Sequence, residues 1–576
     1  MTWYVSKSAS NGYAVGNDGN AGTSKAAPFL TLGAAKTAAF SSGGNEEIII
    51  NDGVYVGTEV DSSNQYIILG ANPPASLLIR AENPQQVELI PGATTGLFRQ
   101  TSGTNLEGTS LELRDLILGR DVISKGGEDA NYLLWCRDNA DTTATHTVTL
   151  TRCTFRNPAF YGCFGLKWPT LTVTDCVWEA DRVASRAFIY SNTWAGGECN
   201  VNGLTVDQTA HTASGFGPIS IDYAAGGIKT RIENVKGTVA SDSADVGGGT
   251  LYGIAVRNSD DVALNNIDIT MRDDSAGATW IGYGVTVYGN DATLSTAAPL
   301  LSGITVRAQT SGGFAVSFGG DLADVVANEA DGGRMRNITV IGNSTFAGAN
   351  GHGVGFGDND NCTAYGLNVS YCDIGLLDKV GSNNTYAGAV VHKCGGGTTE
   401  AACYAKGSTN SKFYNVTVVI EDGYEAIAFL AAVDGATNAT GAEFKYNLVS
   451  VLSATANKVI QVNTSQTASF EDNYYYINPG SVPANPFTYQ ATNYANAATW
   501  LDERDGGVRV PSVPFIDVKK PDYRVRGDSL AARGGEVWWP NGAPFIDPDK
   551  RPALTPPVIG GYQTRTGGGR MVVVRE

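Results

Sequence analysis

The sequence predicts an all-β fold, built as one long solenoid of stacked coils, and three observations carry that prediction. The first is glycine, 71 of 576 residues, about 12% against a usual share near 7%. The chain is only 17% charged and 42% hydrophobic, too apolar and too weakly charged for a disordered polymer. The second is a recurring short pattern of apolar, polar, Asn or Gly, apolar, polar, apolar. The third is that these units contain strand signals alone, repeating every 20 to 40 residues or so, which is the mark of a β-solenoid. Length by itself would suggest about four ordinary domains, and the repeat cancels that expectation.

The pattern begins clearly at Val148-Thr149-Leu150-Thr151-Arg152-Cys153-Thr154-Phe155 and returns at Leu171-Thr172-Val173-Thr174-Asp175-Cys176-Val177-Trp178. Later copies include Glu233-Asn234-Val235, Asn265-Asn266-Ile267, Gly303-Ile304, Arg336-Asn337-Ile338, Tyr365-Gly366-Leu367, Tyr414-Asn415-Val416 and Asp472-Asn473-Tyr474. A second strand type follows most copies, as in Tyr252-Gly253-Ile254, Gly313-Phe314-Ala315, His352-Gly353-Val354, Ile374-Gly375-Leu376 and Cys403-Tyr404-Ala405-Lys406. Within both types apolar residues alternate with polar ones, the period of a strand. A coil with one apolar face has unpaired edges above and below, and stacking satisfies both while closing a continuous core. Asn or Gly recurring at one corner suits a turn that visits the left-handed region, where stacked Asn side chains can hydrogen-bond along the stack.

Other classes are excluded early. No apolar run reaches the roughly 18 residues of a membrane-spanning helix, so membrane insertion is not expected. The net charge of −17 argues against nucleic acid or an anionic membrane as partner. The first residues, Met1-Thr2-Trp3-Tyr4-Val5-Ser6-Lys7, show neither a basic nor an apolar signal region, so a secretory signal is not expected. Nine cysteines, an odd count without a Cys-x-x-Cys pair, read as free buried thilos of a protein folded in a reducing cytoplasm. Asn-x-Ser/Thr triplets such as those at Asn337, Asn343 and Asn415 then read as structural Asn. The organisation expected is an N-terminal opening and capping segment over 1–45, a β-helix over 46–478, a C-terminal capping region over 479–563, and a tail over 564–576 for oligomer or partner contact. Pro479, Pro483, Pro486, Pro511 and Pro514 mark the end of the repeat, and Trp538-Trp539-Pro540 reads as a packed cap. The tail's Met571-Val572-Val573-Val574 is a lone apolar strand expected to pair with another subunit or a partner.

The two ends resemble a known family. Tyr4-Val5-Ser6, then Gly16-Asn17-Asp18-Gly19-Asn20, then Pro28-Phe29-Leu30-Thr31-Leu32, and later Ile48-Ile49-Ile50 with Gly53-Val54-Tyr55, resemble the opening of pectate-lyase-like right-handed parallel β-helix proteins. Asp522-Tyr523-Arg524-Val525-Arg526 and Asp549-Lys550-Arg551-Pro552 resemble that family's closing segment. The resemblance implies a right-handed parallel β-helix with an N-terminal cap and a small C-terminal region, a short helix after Phe29, and a glycan groove on one outer sheet face. The family includes polysaccharide lyases, glycoside hydrolases, epimerases and phage tailspikes, and fold does not fix which.

Candidate chemistry therefore comes from polar residues near the ends of the second strand type. The densest run is His352, then Asp358 and Asp360, then Asp378 and Lys379, then Lys406. His352, Asp358, Asp378, Lys379 and Lys406 are the catalytic candidates. Arg257, Asp222, Tyr288 and Trp168 are candidates for binding substrate, with Arg137, Asp138 and Lys167 nearby and Trp178, Trp194, Tyr223 and Trp280 as further stacking aromatics. Two chemistries would use such a set. In β-elimination a base, Lys379 or Lys406, removes the C5 proton of a uronic acid while a cation neutralises its carboxylate, with Ca²⁺ held by Asp358 and Asp360 as one option. In hydrolysis a carboxylate pair drawn from Asp358, Asp360 and Asp378 acts as acid and base. Gly351-His352-Gly353 and Asp273-Asp274 superficially resemble polygalacturonase motifs, but 78 residues separate them. Each residue also has a plainer reading as turn, loop or solvated charge.

Three functions follow as expectations. The first is a phage-type tailspike or tail fibre, a homotrimer that recognises and depolymerises a bacterial surface polysaccharide, folded in the host cytoplasm, carried on the virion and contacting other virion tail proteins. The second is a stand-alone, extracellular polysaccharide lyase or glycoside hydrolase. The third is an adhesive or structural β-helix without catalysis, so whether the chain is an enzyme stays open.

Overall fold

The computed structural model describes residues 1–509 except 65, 70–72, 93–95, 101–108, 120–131, 137–146, 159–160, 166–169, 183–186, 211–216, 242–248, 260, 276–279, 289–297, 311, 320–329, 344–350, 396–399, 422–426, 436, 454–457 and 480–484, and beyond 509 only 515–517, 522–525, 566–567 and 570–571. The fold is an all-β, right-handed parallel β-helix, the hand that crossovers between parallel strands almost always take. The chain divides into two units, Met1–Trp280 and Ile281–Glu576.

In the first unit, Thr2–Val5 pairs parallel with Asn45–Ile50, which pairs with Ser76–Ala81 and then Ser110–Arg114. Thr147–Thr151, Thr170–Arg182, Ala187–Ala210, Ile219–Ser241 and Asp261–Arg272 continue the ladder. The register stacks one column of apolar side chains: Trp3, Ile48, Ile79, Leu113, Leu150, Val173, Val201, Ile232 and Leu264. All are buried, and each aliphatic side chain so placed contributes roughly 1.5–3 kcal/mol. Between the first strand and this column's second rung lies the helix Leu32–Ser42. Thr31 caps it by accepting from the Ala34 N–H at 3.2 Å, and the Thr31 hydroxyl donates in turn to Asp18 at 3.0 Å. The helix implied by the resemblance is thus present.

The corner position of the repeat takes the left-handed conformation, as its Asn and Gly content requires. Asp175, Asn234 and Asn266 have φ of 51°, 57° and 52°, and Gly203 has 85°. The second unit repeats this at Gly303, Asn337, Gly366 and Asn415.

The second unit carries two interior columns. One runs Val306, Val340, Val369, Val391, Val418, Val449 and Tyr475. The other runs Val285, Val316, Val354, Leu376, Cys403, Phe429, Ile460 and Phe487. Between them rings stack coil on coil, Phe318 on Phe356, Phe356 on Tyr386, Tyr386 on Phe413, Phe413 on Phe444 and Phe444 on Phe470, at 4.7–5.8 Å and within 25° of parallel. Offset stacking of this kind adds to burial, and its repeat matches the strand spacing of about 4.8 Å. Trp500, fully buried, closes the column by stacking on Phe487 at 5.2 Å. Beyond it, Phe515–Asp517 pairs antiparallel with Asp522–Val525, and Thr566–Gly567 with Arg570–Met571. Within the tail, the described residues therefore pair with each other; Val572–Val574 and Trp538-Trp539-Pro540 lie outside the described residues. The eight cysteines whose side chains are described are buried and form no disulfide among the described residues.

Candidate functional site

In the second unit the second strand type forms a sheet through His352–Gly357, Ile374–Lys379, Ala401–Lys406 and Ile427–Ala432. Two successive residues turn inward where this sheet begins. A Cβ on Gly353 would meet Val369 Cγ1 at 2.4 Å, so only glycine fits there, and Val354 follows it into the core. That double inward step throws His352 to the outer face, and strand alternation then sends every second residue outward. Leu377, Tyr404 and Leu430 form one outer column and Lys379, Lys406 and Ala432 the next. The Phe314 ring also lies outside, over Gly355.

The outer face therefore gathers His352, Lys379, Lys406 and Tyr404, and a fifth residue joins them. The Lys406 ammonium lies 3.2 Å and the Lys379 ammonium 3.7 Å from the Asp434 carboxylate. Asp434 sits in a tight turn, its N–H donating to Thr437 O at 2.9 Å and the Thr437 N–H returning to Asp434 O at 2.8 Å. Two ammonium groups thus approach this one carboxylate. Phe314, Ile374, Leu377, Tyr404 and Leu430 pack around the charges as a mostly dry apolar floor.

His352 packs edge-on to Phe314 with centroids 4.6 Å apart. Its Nδ1 is buried and has no hydrogen-bond partner. Burial first, then the nearby Lys406 and Lys379 charges, lower its pKa to about 4, so the ring is neutral at pH 7. Burial, with the Asp434 charge, pushes the Tyr404 phenol up to about 12, which keeps its proton in place.

Asp378 departs from the sequence expectation. It follows Leu377, so alternation sends it inside, where it is fully buried. Its carboxylate accepts from Asn384 Nδ2 at 2.9 Å and from Ser411 Oγ at 2.5 Å. Burial raises its pKa to about 6 against the pull of those two donors. Asp378 is a rung of an internal polar ladder and does not share a face with Lys379.

Asp358 and Asp360 form a separate corner. Asp360 accepts from the Ser382 N–H at 2.7 Å and from its hydroxyl, and its own N–H donates to Asp331 at 2.7 Å. Burial, then the charges of Asp360 and Asp331, raise the Asp358 pKa. Among the described residues no group of three or more His, Cys, Asp or Glu side chains is arranged to hold a metal ion, and Asp360 spends its oxygen on Ser382.

The remaining candidates scatter. Asp222 and Arg257 are register neighbours in the first unit; Arg257 is half-buried, and the Asp222 side chain lies outside the described residues. Tyr288, in the second unit, is buried at 7% exposure and offers no open ring face for stacking. Trp168, Lys167, Arg137 and Asp138 lie outside the described residues, as do the side chains of Trp194, Tyr223 and Trp280. Trp178 is corrected to the core, fully buried with its Nε1 donating to Gln208 at 3.0 Å. Asp273 accepts from Ser241 and Ser275, and Asp274 pairs with Arg272, so both are engaged in their own turn.

Sequence reasoning passed over Asp434 and Tyr404. Tyr404 stood in plain view two residues before Lys406, on the same side of its strand. Asp434 had a weaker signal: the Val433-Asp434-Gly435 turn follows the next strand in register below Lys406.

No protein-family model matches this chain, and no curated protein matches it. Solved structures similar to it include the A-module of a mannuronan C-5 epimerase from Azotobacter vinelandii, at 15% identity and a TM-score of 0.27, covering 81% of this chain and 95% of that one. A mannuronic acid specific family 6 polysaccharide lyase from human gut microbiota is similar at 11% identity and a TM-score of 0.34, covering 79% and 88%. A pectate lyase is similar at 11% identity and a TM-score of 0.21, covering 98% and 96%. None of these lends this chain a residue role.

Proposed function

We propose that this protein acts on an acidic polysaccharide, binding it along the outer sheet face of the second unit and cleaving it by β-elimination. One observation carries the reading: Lys379 and Lys406 share the single carboxylate of Asp434 beside a buried histidine whose Nδ1 has no hydrogen-bond partner. The paired ammonium groups suit a uronate carboxylate, held by a charge-assisted contact on an apolar floor. Neutralising that carboxylate acidifies the neighbouring C5 proton. Neutral His352 takes the proton, the C5 electron pair becomes the C4–C5 double bond, and the C4–O glycosidic bond breaks. Tyr404, held in its phenol form, supplies the proton that the departing oxygen needs. The two lysines act as cations in this scheme, and His352 replaces them as base.

Incubation with mannuronan, pectate and uronate-containing bacterial capsule tests it, read by the ultraviolet absorbance of the unsaturated product. Product from wild type and its loss in His352→Ala are expected. New reducing ends without that absorbance would move the reading to a glycoside hydrolase. If none of the three polymers is bound or cut, the site is misassigned.

The finer reading is a phage-type tailspike or fibre, a homotrimer carried on a virion with other tail proteins, its target a bacterial surface glycan. The eight buried cysteines, which form no disulfide among the described residues, support folding in a reducing host cytoplasm. A solution mass equal to one chain, 60.3 kDa, would end that part and leave an extracellular enzyme or an adhesive β-helix.

A further inference from the structure

The turn that supplies Asp434 is built as a separate piece on the outer face of the second unit. It leaves the strand Ile427–Ala432 and closes on itself, the Asp434 and Thr437 backbones forming an isolated antiparallel bridge. Val433, Gly435 and Thr437 are exposed, and Val433 keeps 41% of its surface in solvent although it is apolar. Gly435 has a φ of 55° and nothing within 4 Å of the place a Cβ would take. Asp434 turns the other way. Its side chain is only 23% exposed and meets Lys406 and Lys379.

The strands beneath are shaped to receive that turn. Lys379 and Lys406 are register neighbours, one strand spacing of about 4.8 Å apart. Each stands one residue before a left-handed corner, Val380 at φ 65° and Gly407 at φ 62°. Glycine is required at the second corner, because a Cβ on Gly407 would meet Asp434 Cβ at 2.8 Å and Thr437 O at 3.2 Å. The turn therefore sits directly on that glycine. Valine is a costly choice at the first corner, since β-branched residues rarely take positive φ. Its N–H is held by Lys406 O at 2.9 Å. Strain of this kind persists only where the surroundings impose it, and it gathers at binding and catalytic sites.

We infer that Asp434 is an internal stand-in for the substrate's carboxylate, and that its turn is an autoinhibitory latch. The point between two ammonium groups on adjacent coils is where a uronate carboxylate would bind. A carboxylate of the chain itself already lies there, 3.2 Å from one ammonium and 3.7 Å from the other. Two carboxylates cannot share that point without close like-charge repulsion. The incoming one therefore displaces Asp434, and the exposed turn lifts from Gly407. A uronate binds only the fraction of molecules whose latch is open, so the contact weakens apparent affinity by that fraction. The resident group also states the chemistry of its replacement: a carboxylate, as a uronic acid carries, and not a neutral sugar. This inference rests on the acidic-polysaccharide reading above and adds the step that must precede catalysis.

Titration calorimetry tests it on the full chain carrying His352→Ala, so that bound oligomer is not cut, with hexamannuronate and hexagalacturonate as probes. Adding Asp434→Asn keeps the shape of the turn and removes its charge. It is expected to tighten binding about fivefold, the size of one partly exposed ion pair, with an unchanged melting temperature. Gly407→Ala pushes the turn away while the carboxylate is kept, and should act in the same direction. Lys406→Ala, added to Asp434→Asn, should abolish the gain. Equal or weaker binding with Asp434→Asn overturns the latch and makes Asp434 an orienting partner of the lysines, with the acidic-polysaccharide reading left intact. If the chain binds neither oligomer with or without Asp434→Asn, that reading fails and the latch falls with it. Tighter binding by Asp434→Asn in a chain that keeps His352 but yields no unsaturated product sustains the latch and removes β-elimination alone.

Discussion

Polar side chains stack from coil to coil on both sides of the wall, and one ladder from each unit shows the difference. In the first unit the ladder Asn202–Asn234–Asn266 faces solvent. In the second, Asn447 and Asn473 lie in the core, where the Val416 N–H donates to Asn447 Oδ1 at 2.8 Å and the Asn447 N–H to Asn473 Oδ1 at 2.9 Å. Asp505 ends that ladder, accepting from the Asn473 N–H at 3.0 Å and from the Tyr475 hydroxyl at 2.5 Å. An exposed ladder competes with water and adds little to stability. A buried ladder must be complete, because each orphaned group carries its full desolvation cost. The exposed amides of Asn234 and Asn266 stand at the left-handed corner itself, whereas buried Asn447 and Asn473 follow the corner residues Tyr446 and Asp472, so one step along the chain decides whether an Asn faces solvent or core.

The comparison can be broken by substitution. The largest effect is expected at the charged outer face: His352→Ala should lower the rate of unsaturated-product formation at least about a hundredfold, with far-ultraviolet circular dichroism unchanged. Next is the buried ladder, where Asn473→Ala orphans the Asn447 N–H and the Phe444 carbonyl, to which Asn473 Nδ2 donates at 2.7 Å. It should cost about 2–3 kcal/mol in urea unfolding, and a loss below about 0.5 would refute the role given to burial.

Asp378 gives a signed pH test of the same point. Its folded pKa of about 6 lies above its usual 3.8, so the folded chain holds that proton more tightly than the unfolded one. Its cost is absent below pH 3.8, grows as pH rises, and is complete above about 6. Asp378→Asn keeps a rung beside Asn384 and Ser411 without the charge. It should stabilise the chain by about 1–3 kcal/mol at pH 8, and the gain should vanish near pH 4 in paired thermal melts.

A smaller shift belongs to the outer face of the second unit. His352 titrates near pH 4 because burial and two ammonium charges hold it neutral. The acid limb of the rate profile should therefore lie near 4, and Lys379→Ala, by removing one cation, should move it upward. A limb at the ordinary 6.5 in wild type would show the ring to be solvated. The smallest effect is expected at the exposed ladder, where Asn234→Ala should change unfolding by less than about 0.5 kcal/mol; a loss as large as that of Asn473→Ala would erase the distinction between the two ladders.

Much of the fold was legible because a repeat states the same local rule many times. Asn234, Asn266, Asn337 and Asn415 were expected at left-handed corners and adopt them. Tyr446 occupies the same corner at φ 56°, and nothing in a tyrosine announces that conformation. The site was legible only in part. His352, Lys379 and Lys406 were picked out and do share a face, while Asp378, adjacent to Lys379, points the other way. Alternation could separate those two neighbours, but which of them faces out depends on the double inward step at Gly353 and Val354, which the pattern of apolar residues does not declare. Asp434 joins from a turn after the following strand, 28 residues beyond Lys406, through a contact that only stacking creates.

The sequence by itself determined that the chain is built mainly of strands, that its coils stack in parallel, and where many of the coils bend, because alternation and left-handed turns are local properties of a few residues at a time. Tertiary structure alone decided which carboxylates are core rungs and which are outer charges, and which lysines meet around Asp434. Those are properties of facing and register between coils some 22 to 37 residues apart, and a side chain's chemistry follows the solvent and neighbours that this stacking assigns to it.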